Sequence, residues 1–253
     1  MKYSIIIPAR MNSTRLPNKM MRKLFGVPII ERTWRQAELI GQQVIVATDD
    51  ISILRHMHGI GARAMLTDIN HQSGTDRLSE VVLEYGFPDE HIIVNWQGDE
   101  PFLPRPLLDQ VVNLLIDNPE AAMSTLAAKI TDMKHFLDPN VVKVIQDLNG
   151  FALYFSRAPI PYPRDFDLNS ASLPDDFQGL RHLGVYAYRA GFLKKYPTLK
   201  PVALESTEKL EQLRGLYNGY KIILDIAKVP VPVGIDTEDD LKNAELYLRD
   251  YYS

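Results

Sequence analysis

Short apolar runs alternate with longer amphipathic stretches along the first half of the chain. The apolar runs predict strands, and the spacing of apolar positions between them predicts helices. The strands are predicted at residues 3–9, 43–49, 62–67 and 91–101, and the helices at residues 28–40, 50–61, 74–86 and 105–118. Strands that are apolar at nearly every position and are joined through helices are typical of a parallel sheet covered on both faces.

The second half of the chain is less regular. Apolar runs predict strands at 121–130, 140–147, 150–161 and 221–230, a strand that continues into a helix across 181–196, and helices at 206–220 and 237–252. The polar residues 163–180 are predicted to form a long mobile loop or an arm that contacts a partner. We therefore predict one doubly wound α/β core, with a mainly parallel but mixed sheet and an antiparallel insertion.

Composition narrows the class of protein. The 253 residues are 45% hydrophobic and 24% charged, and this length suits one large α/β domain. The net charge of −4 argues against a broad nucleic-acid-binding surface, and the absence of cysteine excludes disulfides, thiolate metal sites and a cysteine nucleophile. The sequence has no apolar run long enough for a membrane span and no secretory signal. We expect a cytoplasmic protein without membrane insertion.

A basic segment follows the first predicted strand. Arg10, Arg15 and Lys19 lie within a short polar stretch, on a protein that is acidic overall. The stretch matches neither G-x-x-x-x-G-K-[ST] nor G-x-G-x-x-G. Local cations after a strand favour a small polyanion such as a phosphate chain, and the alternative is a solvated basic loop.

Carboxylates follow two other predicted strands. Gln97, Gly98 and Asp99 lie at the carboxyl end of the fourth predicted strand, and Asp236 precedes the last helix. Ligands of parallel sheets bind at the carboxyl ends of strands, where a carboxylate can hold Mg²⁺ and Gln97 can hydrogen-bond a sugar or a base. The alternatives are an ordinary turn at residues 97–101 and, around Asp236, a helix cap in which Thr237 pairs with Asp240.

Other candidates are less specific. Ser73, Gly74, Thr75 and Arg77 lie at a predicted helix start, where they fit either an anion or pyrimidine site or a plain N-cap. His182 in an apolar strand is typical of a core or interface histidine. Arg157 and Arg164 are suited either to binding a substrate carboxylate or to forming ion pairs with acidic loops.

Taken in order, these segments resemble the 3-deoxy-manno-octulosonate cytidylyltransferases, or CMP-Kdo synthetases. The matching stretches are "IIPAR", "STRLP", "HQSGTDRL", "QGDEP", "ALYFSRAPIP", "RHLGVYAYRAGFL", "EKLEQLR" and "VGIDTEDDL", which run from residue 5 to about 245. The resemblance implies a single nucleotidyltransferase domain over 1–253, with a dimerisation insertion near 151–192. It also implies a homodimer that uses CTP and the acid sugar Kdo to make CMP-Kdo for lipopolysaccharide synthesis, with Mg²⁺.

The resemblance implies roles for individual residues. The catalytic residues are expected to be Lys19, Arg10 and Asp99. The metal ligands are expected to be Asp99 and Asp236. The nucleotide residues are expected to be Ala9, Arg10, Arg15, Lys19, Ser73, Gly74, Thr75, Arg77, Gln97 and Gly98. The sugar residues are expected to be Gln97, Arg157, Arg164, His182, Tyr186, Glu211 and Gln212.

The chain also departs from the family pattern, at Met11, Asn18, Met20 and Met21, Asn70 and Trp96. These differences leave open a related acid sugar, such as 8-amino-Kdo or sialic acid. Two further alternatives are a nucleotide-sugar glycosyltransferase and a regulatory protein that binds nucleotide without turnover. The basic segment argues against the first, because a free triphosphate needs those cations more than a diphosphate-sugar does. The presence of Lys19, Asp99 and Asp236 argues against the second.

Overall fold

The computed structural model describes residues 3–11, 13, 15–40, 43–165, 172–174, 177–232 and 234–252. The chain forms two compact units. Unit 1 comprises Met1–Arg105, Arg189–Lys194 and Pro230–Ser253, and unit 2 comprises Pro106–Tyr188 and Lys195–Val229. The single domain with an insertion near 151–192 stays a prediction.

The strands and helices of the described residues alternate through most of the chain. In chain order they are β1 (Tyr3–Ala9), β2 (Lys23–Leu24), β3 (Val27–Pro28), α1 (Ile29–Glu38), β4 (Gln43–Thr48), α2 (Ile51–Gly59), β5 (Ala64–Leu66), α3 (Gly74–Glu84), β6 (Ile92–Asn95), α4 (Arg105–Asp117), β7 (Ala121–Lys129), α5 (Met133–Leu137), β8 (Lys143–Gln146), β9 (Ala152–Ser156), β10 (Leu180–Arg189), α6 (Ala190–Lys195), α7 (Ala203–Glu208), α8 (Gln212–Tyr217), β11 (Lys221–Ile226) and α9 (Glu238–Tyr252). Short 3₁₀ helices cover Lys19–Met21 and Tyr196–Thr198.

Unit 1 contains a parallel sheet with the strand order β6-β1-β4-β5. All seven residues of the central strand β1 are buried, and Ile6 lies opposite Ile45 on one side and Asn95 on the other. Burial on both faces explains why β1 is apolar at nearly every position. The segments that leave β1, β4 and β6 therefore start side by side at one edge of this sheet, where ligands of parallel sheets bind.

A separate apolar cluster in unit 1 holds the basic segment against α9. This cluster joins Leu16, Leu24 and Ile29 to Ile235 and Leu241. The first turn of α9 has the predicted reciprocal cap: the Asp240 N–H donates to the Thr237 hydroxyl at 3.1 Å, and the Thr237 N–H donates to the Asp240 carboxylate at 2.9 Å. These contacts fix the backbone just after Asp236.

Unit 2 is built mainly from antiparallel pairs. β7 lies between β11, to which it is parallel, and β10, to which it is antiparallel. β10 also pairs with β8, and β8 pairs with β9, in both cases antiparallel. The register of β10 shifts between Leu183 and Tyr186, and the Thr125 side chain lies against this bulge, with its hydroxyl 3.0 Å from the Leu183 carbonyl and 2.9 Å from the Val185 carbonyl.

The predicted fold class is confirmed: the fold is mixed α/β, with a mainly parallel sheet and added antiparallel strands. The single helix predicted at 206–220 is wrong, because α7 ends at Glu208 and the next residue, Lys209, is left-handed with φ at 54°, before α8 begins at Gln212. The pattern also missed α5 and the β2–β3 hairpin. Much of the loop predicted at 163–180, namely residues 166–171 and 175–176, lies outside the described residues. A search of the described residues for a helix able to cross a bilayer found none.

Candidate active site

Buried apolar residues hold the basic segment in place. Leu16 is fully buried and Met20 is 4% exposed, so these two side chains anchor the turns that carry Arg15 and Lys19. The segment ends in the 3₁₀ helix Lys19–Met21, which follows Asn18 in a left-handed conformation, with φ at 55°. The next cation along, Arg22, makes a two-pronged ion pair with Glu238 of α9, with 2.9 Å between Nη2 and Oε2.

Lys19 is the centre of the site in unit 1. Its ammonium donates to the carboxylates of both Asp99 and Asp236, the second at 2.8 Å. Arg15 binds the other oxygen of Asp236 at 2.9 Å. Arg15, Lys19 and the two predicted metal ligands thus form one connected cluster, which Arg10 does not join by any contact among the described residues.

The charges of this cluster shift the pKa values of its members. Burial alone would lower the pKa of Lys19, but the charges and hydrogen bonds of Asp99 and Asp236 outweigh it and raise that pKa. Burial would raise the pKa of Asp236, yet its hydrogen bond to Lys19 and the charges of Lys19 and Arg15 leave it lowered. The ammonium and the Asp236 carboxylate are therefore both charged at neutral pH.

Glu100 differs from the two aspartates. Burial of its carboxyl group, followed by the nearby charges of Asp99 and Asp236, raises its pKa to about 8, against an opposing contribution from Lys19. Near neutral pH this carboxyl group is mostly protonated. Glu100 therefore adds little negative charge to the site near neutral pH.

Gly98 sits where the loop after β6 approaches its neighbours closely. A Cβ at this position would lie 3.0 Å from both the Pro8 carbonyl oxygen and the Met20 sulfur. Any side chain here would require β1 or the Met20 side chain to shift by a few tenths of an ångström, which glycine avoids. Gln97, just before it, is half-buried, and Ala9 and Arg10 mark the end of β1, with Ala9 buried and Arg10 exposed.

The start of α3 is joined to the basic segment through an ion pair. The Arg77 guanidinium is 4% exposed and binds the Thr67 hydroxyl and, at 2.8 Å, one oxygen of Asp49. The other oxygen of Asp49 accepts the Met11 N–H at 3.3 Å. Ser73 caps α3 by accepting the Asp76 N–H at 3.1 Å, which confirms the capping interpretation of this residue. Gly74 and the buried Thr75 form the first turn that follows.

The donor set of the cluster fits magnesium. Asp99 and Asp236 already converge on one cation, the Lys19 ammonium, so their oxygens are close enough to share another. Mg²⁺ is commonly held by one or two carboxylates, with phosphate oxygens and water completing the shell. Within the described ranges, no three metal-ligating side chains lie close enough together to hold an ion by themselves. Two carboxylates with open positions suit a metal that arrives with a nucleotide.

Unit 2 holds the residues expected to bind the sugar, and two of them lie side by side on β10. The His182 Nε2 is 3.0 Å from the Thr125 hydroxyl, and its ring lies 5.2 Å from the Tyr186 ring. Burial lowers the pKa of His182 to about 3, so the imidazole is neutral. The buried Tyr186 hydroxyl faces Thr125 without a hydrogen bond of ordinary geometry.

The remaining sugar candidates occupy different environments. Arg157 donates to two main-chain carbonyls, those of Glu208 at 2.6 Å and Pro139 at 2.9 Å. Arg164 is exposed. Glu211 precedes α8 without a side-chain capping bond, and the buried amide nitrogen of its neighbour Gln212 has no hydrogen-bond partner among the described residues. A buried amide without a partner is unusual and is compatible with a ligand.

The predicted residues are thus only partly joined by contacts. In unit 1, Arg15, Lys19, Asp99 and Asp236 meet directly, and in unit 2 the rings of His182 and Tyr186 are neighbours. Sequence reasoning missed the polar side chains that support them, which are Thr33, Asp49, Thr125 and Glu208. These are ordinary residues in ordinary elements, and only Asp49, at the end of a predicted strand, carried a signal.

Comparison with known proteins shows the family to which the chain belongs. The cytidylyltransferase family model matches residues 4–222. A 3-deoxy-manno-octulosonate cytidylyltransferase 2 of Actinobacillus pleuropneumoniae is 49% identical, covering 98% of this chain and 99% of the relative. A 3-deoxy-manno-octulosonate cytidylyltransferase of Pseudomonas fluorescens is 46% identical, covering 98% of each.

A solved structure is also similar to this chain. It is described as CMP:2-keto-3-deoxy-manno-octonic acid synthetase complexed with CTP, and it matches with a TM-score of 0.88 at 33% identity, over 99% of this chain and all of the other. With identities near one half over nearly the full length, the chain belongs to the cytidylyltransferase family, among the 3-deoxy-manno-octulosonate cytidylyltransferases.

Proposed function

We propose that this enzyme transfers CMP from CTP to the anomeric hydroxyl of Kdo, releasing pyrophosphate and forming CMP-Kdo for lipopolysaccharide synthesis. The observation that carries the proposal is the cluster in which Arg15 and Lys19 meet Asp99 and Asp236. It combines the cations that a triphosphate needs with two carboxylates suited to its metal. The family membership and the relatives named for this reaction support the same assignment.

In the reaction the anomeric oxygen of the sugar forms a bond to the α-phosphorus of CTP. The bond between that phosphorus and the bridging oxygen breaks, the hydroxyl proton is lost, and pyrophosphate leaves with the electron pair. Phosphoryl and nucleotidyl transfers depend mainly on positioning and on neutralising the charge that develops. Arg10, Arg15 and Lys19 would neutralise charge on the phosphates, and Gln97 with residues 73–77 would contact the nucleoside.

Asp99 and Asp236 would hold Mg²⁺. When bound, this metal supplies a positive charge that polarises the α-phosphate and favours the ionised form of the attacking hydroxyl. The polypeptide contributes by holding both carboxylates in one place. Lys19, which binds them in this structure, is also able to turn to a phosphate oxygen, because its ammonium sits on a flexible stem.

The sugar would bind the candidates of unit 2. The Gln212 amide and the Tyr186 hydroxyl are buried groups with hydrogen-bonding capacity to spare, and the neutral His182 can donate or accept. The exposed Arg164 guanidinium suits the sugar carboxylate, since its fork matches two oxygens. Arg157 would do so only after releasing its main-chain carbonyls.

We also propose that the protein is a cytoplasmic homodimer. β9 pairs with β8 along one side, and two large apolar side chains near it are exposed, Leu148 fully and Leu153 by 56%. A strand with a free edge and exposed leucines is suited to pairing with a second copy. Light scattering after size-exclusion chromatography tests this, and a monomer at micromolar concentration would contradict it.

Pyrophosphate release from CTP and Mg²⁺ tests the reaction itself. The purified protein is assayed with Kdo, with 8-amino-Kdo and with sialic acid. We expect release with Kdo. Release only with another acid sugar would keep the phosphate chemistry and overturn the sugar, and CTP binding without release for any of the three would leave a nucleotide-binding protein without turnover.

A further inference from the structure

Three consecutive carbonyl groups of the loop after β6 each accept a hydrogen bond from a different part of unit 1. The Gly98 carbonyl accepts from the Thr33 hydroxyl at 2.8 Å, the Asp99 carbonyl from the Ile235 N–H at 2.9 Å, and the Glu100 carbonyl from the Trp96 indole at 2.8 Å. Successive bonds of this kind fix the peptide planes on both sides of Asp99. They therefore fix the direction of the Asp99 Cα–Cβ bond, from which its carboxylate extends toward Lys19.

Two of the three hydrogen-bond donors are close in sequence to the site residues, and the third donor is not. Ile235 immediately precedes Asp236, and Trp96 belongs to the same loop. Thr33 lies in the middle of α1, in a stretch that no motif singles out. Its side chain is fully buried beneath the loop.

The Thr33 hydroxyl has one proton and two acceptors within reach. It lies 2.8 Å from the Gly98 carbonyl and 3.1 Å from the Ile29 carbonyl of its own helix. The Ile29 carbonyl is an ordinary helical acceptor, whereas the Gly98 carbonyl belongs to a loop that has no regular ladder. The shorter distance also favours the loop. The Thr33 hydroxyl therefore donates its hydrogen bond mainly to the Gly98 carbonyl.

Space around Gly98 makes this contact more demanding. A Cβ at Gly98 would lie 3.0 Å from the Pro8 carbonyl oxygen, so the main chain there runs close against β1. The Gly98 carbonyl therefore has little freedom to swing toward another donor, because its peptide cannot rotate far without moving that main chain. Without the Thr33 hydroxyl it would lose its partner or rotate the Gly98–Asp99 peptide, and either change displaces Asp99.

We propose that Thr33 is a positioning residue for the reaction: it orients the Asp99 carboxylate through the Gly98 carbonyl. This inference rests on the proposed role of Asp99 as a metal ligand. Residues that orient a metal ligand typically alter metal affinity by about 10–100-fold when removed. A residue that only stabilises the fold would lower the folded fraction and leave the metal dependence of the remaining enzyme unchanged.

The test compares Thr33→Val, which keeps the shape and removes the hydroxyl, with Thr33→Ser, which keeps the hydroxyl. The Mg²⁺ concentration at half-maximal pyrophosphate release is measured with CTP and Kdo saturating, and Mg²⁺ binding to each protein with CTP is measured by calorimetry. We expect Thr33→Val to weaken Mg²⁺ about 10-fold in both measurements. Thr33→Ser is expected to restore it to within about 2-fold of wild type, since its hydroxyl can make the same bond.

Ser124→Ala is the matched control. The Ser124 hydroxyl is also fully buried and donates to a main-chain carbonyl, that of Val111 at 2.6 Å, in unit 2. Its loss should lower stability without moving the Mg²⁺ dependence. A Thr33→Val enzyme that is less stable but has wild-type Mg²⁺ affinity in both measurements would overturn the proposal.

Measurements on the wild-type enzyme distinguish a wrong role for Thr33 from a wrong proposed function. If the wild type releases no pyrophosphate with any of the acid sugars, the function is wrong, and calorimetry with Mg²⁺ and CTP still decides whether Thr33 acts on the metal site. If the wild type is active and Thr33→Val matches it at every Mg²⁺ concentration, only the role of Thr33 is wrong.

Discussion

Replacing Lys19 with methionine removes the one cation that joins Asp99 to Asp236. The Lys19 side chain is 11% exposed and donates to both carboxylates, which are 20% and 39% exposed. Each hydrogen bond between charged groups contributes about 1.5–3 kcal/mol. Asp236 keeps its bond to Arg15, so most of the loss falls on Asp99.

The net effect on stability is smaller than the sum of the two bonds. Desolvation of the buried ammonium opposes them in the wild type, and the methionine restores apolar contact along the stem. We expect the free energy of unfolding without metal to fall by about 2–3 kcal/mol. Because the ammonium no longer competes for the two carboxylates, Mg²⁺ should stabilise Lys19→Met more than wild type, and metal at 100 times its Kd would add about 2.7 kcal/mol.

Urea unfolding with and without Mg²⁺ measures both effects, and Lys23→Met, at an exposed position of the neighbouring hairpin, is the control. The same protein should lose about 10²–10³-fold in kcat/KM for CTP, the cost typical of removing one group that stabilises charge in the transition state. The reasoning is refuted if Lys19→Met unfolds like Lys23→Met with and without metal and uses CTP like wild type.

Three further changes probe other parts of the site. Asp99→Asn and Asp236→Asn should each abolish pyrophosphate release and leave the far-ultraviolet circular dichroism unchanged, because the amide keeps the shape and loses the charge. Gly98→Ala should lower the unfolding free energy by about 1–3 kcal/mol, since its methyl group would press on the Pro8 carbonyl. His182 is neutral in the fold, with a pKa of about 3, but titrates near its ordinary value of 6.5 when unfolded, so its contribution is complete above pH 6.5 and falls as the pH drops toward 3. At pH 4.5 that loss should be about 1–2 kcal/mol, allowing for partial solvent contact, and His182→Gln should remove it.

Each of these outcomes has a contrary result. Full turnover by either asparagine variant would mean that the metal assignment is wrong. A Gly98→Ala enzyme with wild-type stability would show that the loop can move away from β1. If His182→Gln and wild type lose the same stability between pH 7 and pH 4.5, another group is responsible for acid unfolding.

Periodicity predicted elements whose signals are local. β1 was predicted with the bounds that the structure shows, because burial on both faces makes every position apolar. The helix predicted at 206–220 failed at Lys209, since a left-handed lysine, unlike a glycine or proline, leaves no mark in the sequence. Thus an element could be predicted from the sequence where its apolar pattern reflects burial. It could not be predicted where a single backbone φ angle determines the end of a helix.

The site divides in the same way. The resemblance singled out Lys19, Asp99 and Asp236, and the structure brings these three side chains into contact, while their roles stay a prediction. The partners of Arg77 could not be predicted, because its ion pair with Asp49 spans 28 positions and depends on the packing of α3 against the sheet. Polar contacts between distant segments have no periodicity to detect.

The apolar cluster that links Leu16 to Ile235 and Leu241 has a consequence for biosynthesis. Residues 10–24 leave the ribosome long before residues 230–253. Leu16 therefore cannot contact Ile235 and Leu241 until nearly the whole of the given sequence has been made. Contacts over such a separation close slowly. A nascent chain that stops before α9 would display both an apolar groove and an incomplete cluster of charges. Cellular proteases would therefore degrade such an incomplete chain. It would rarely persist as an inactive protein that competes for CTP.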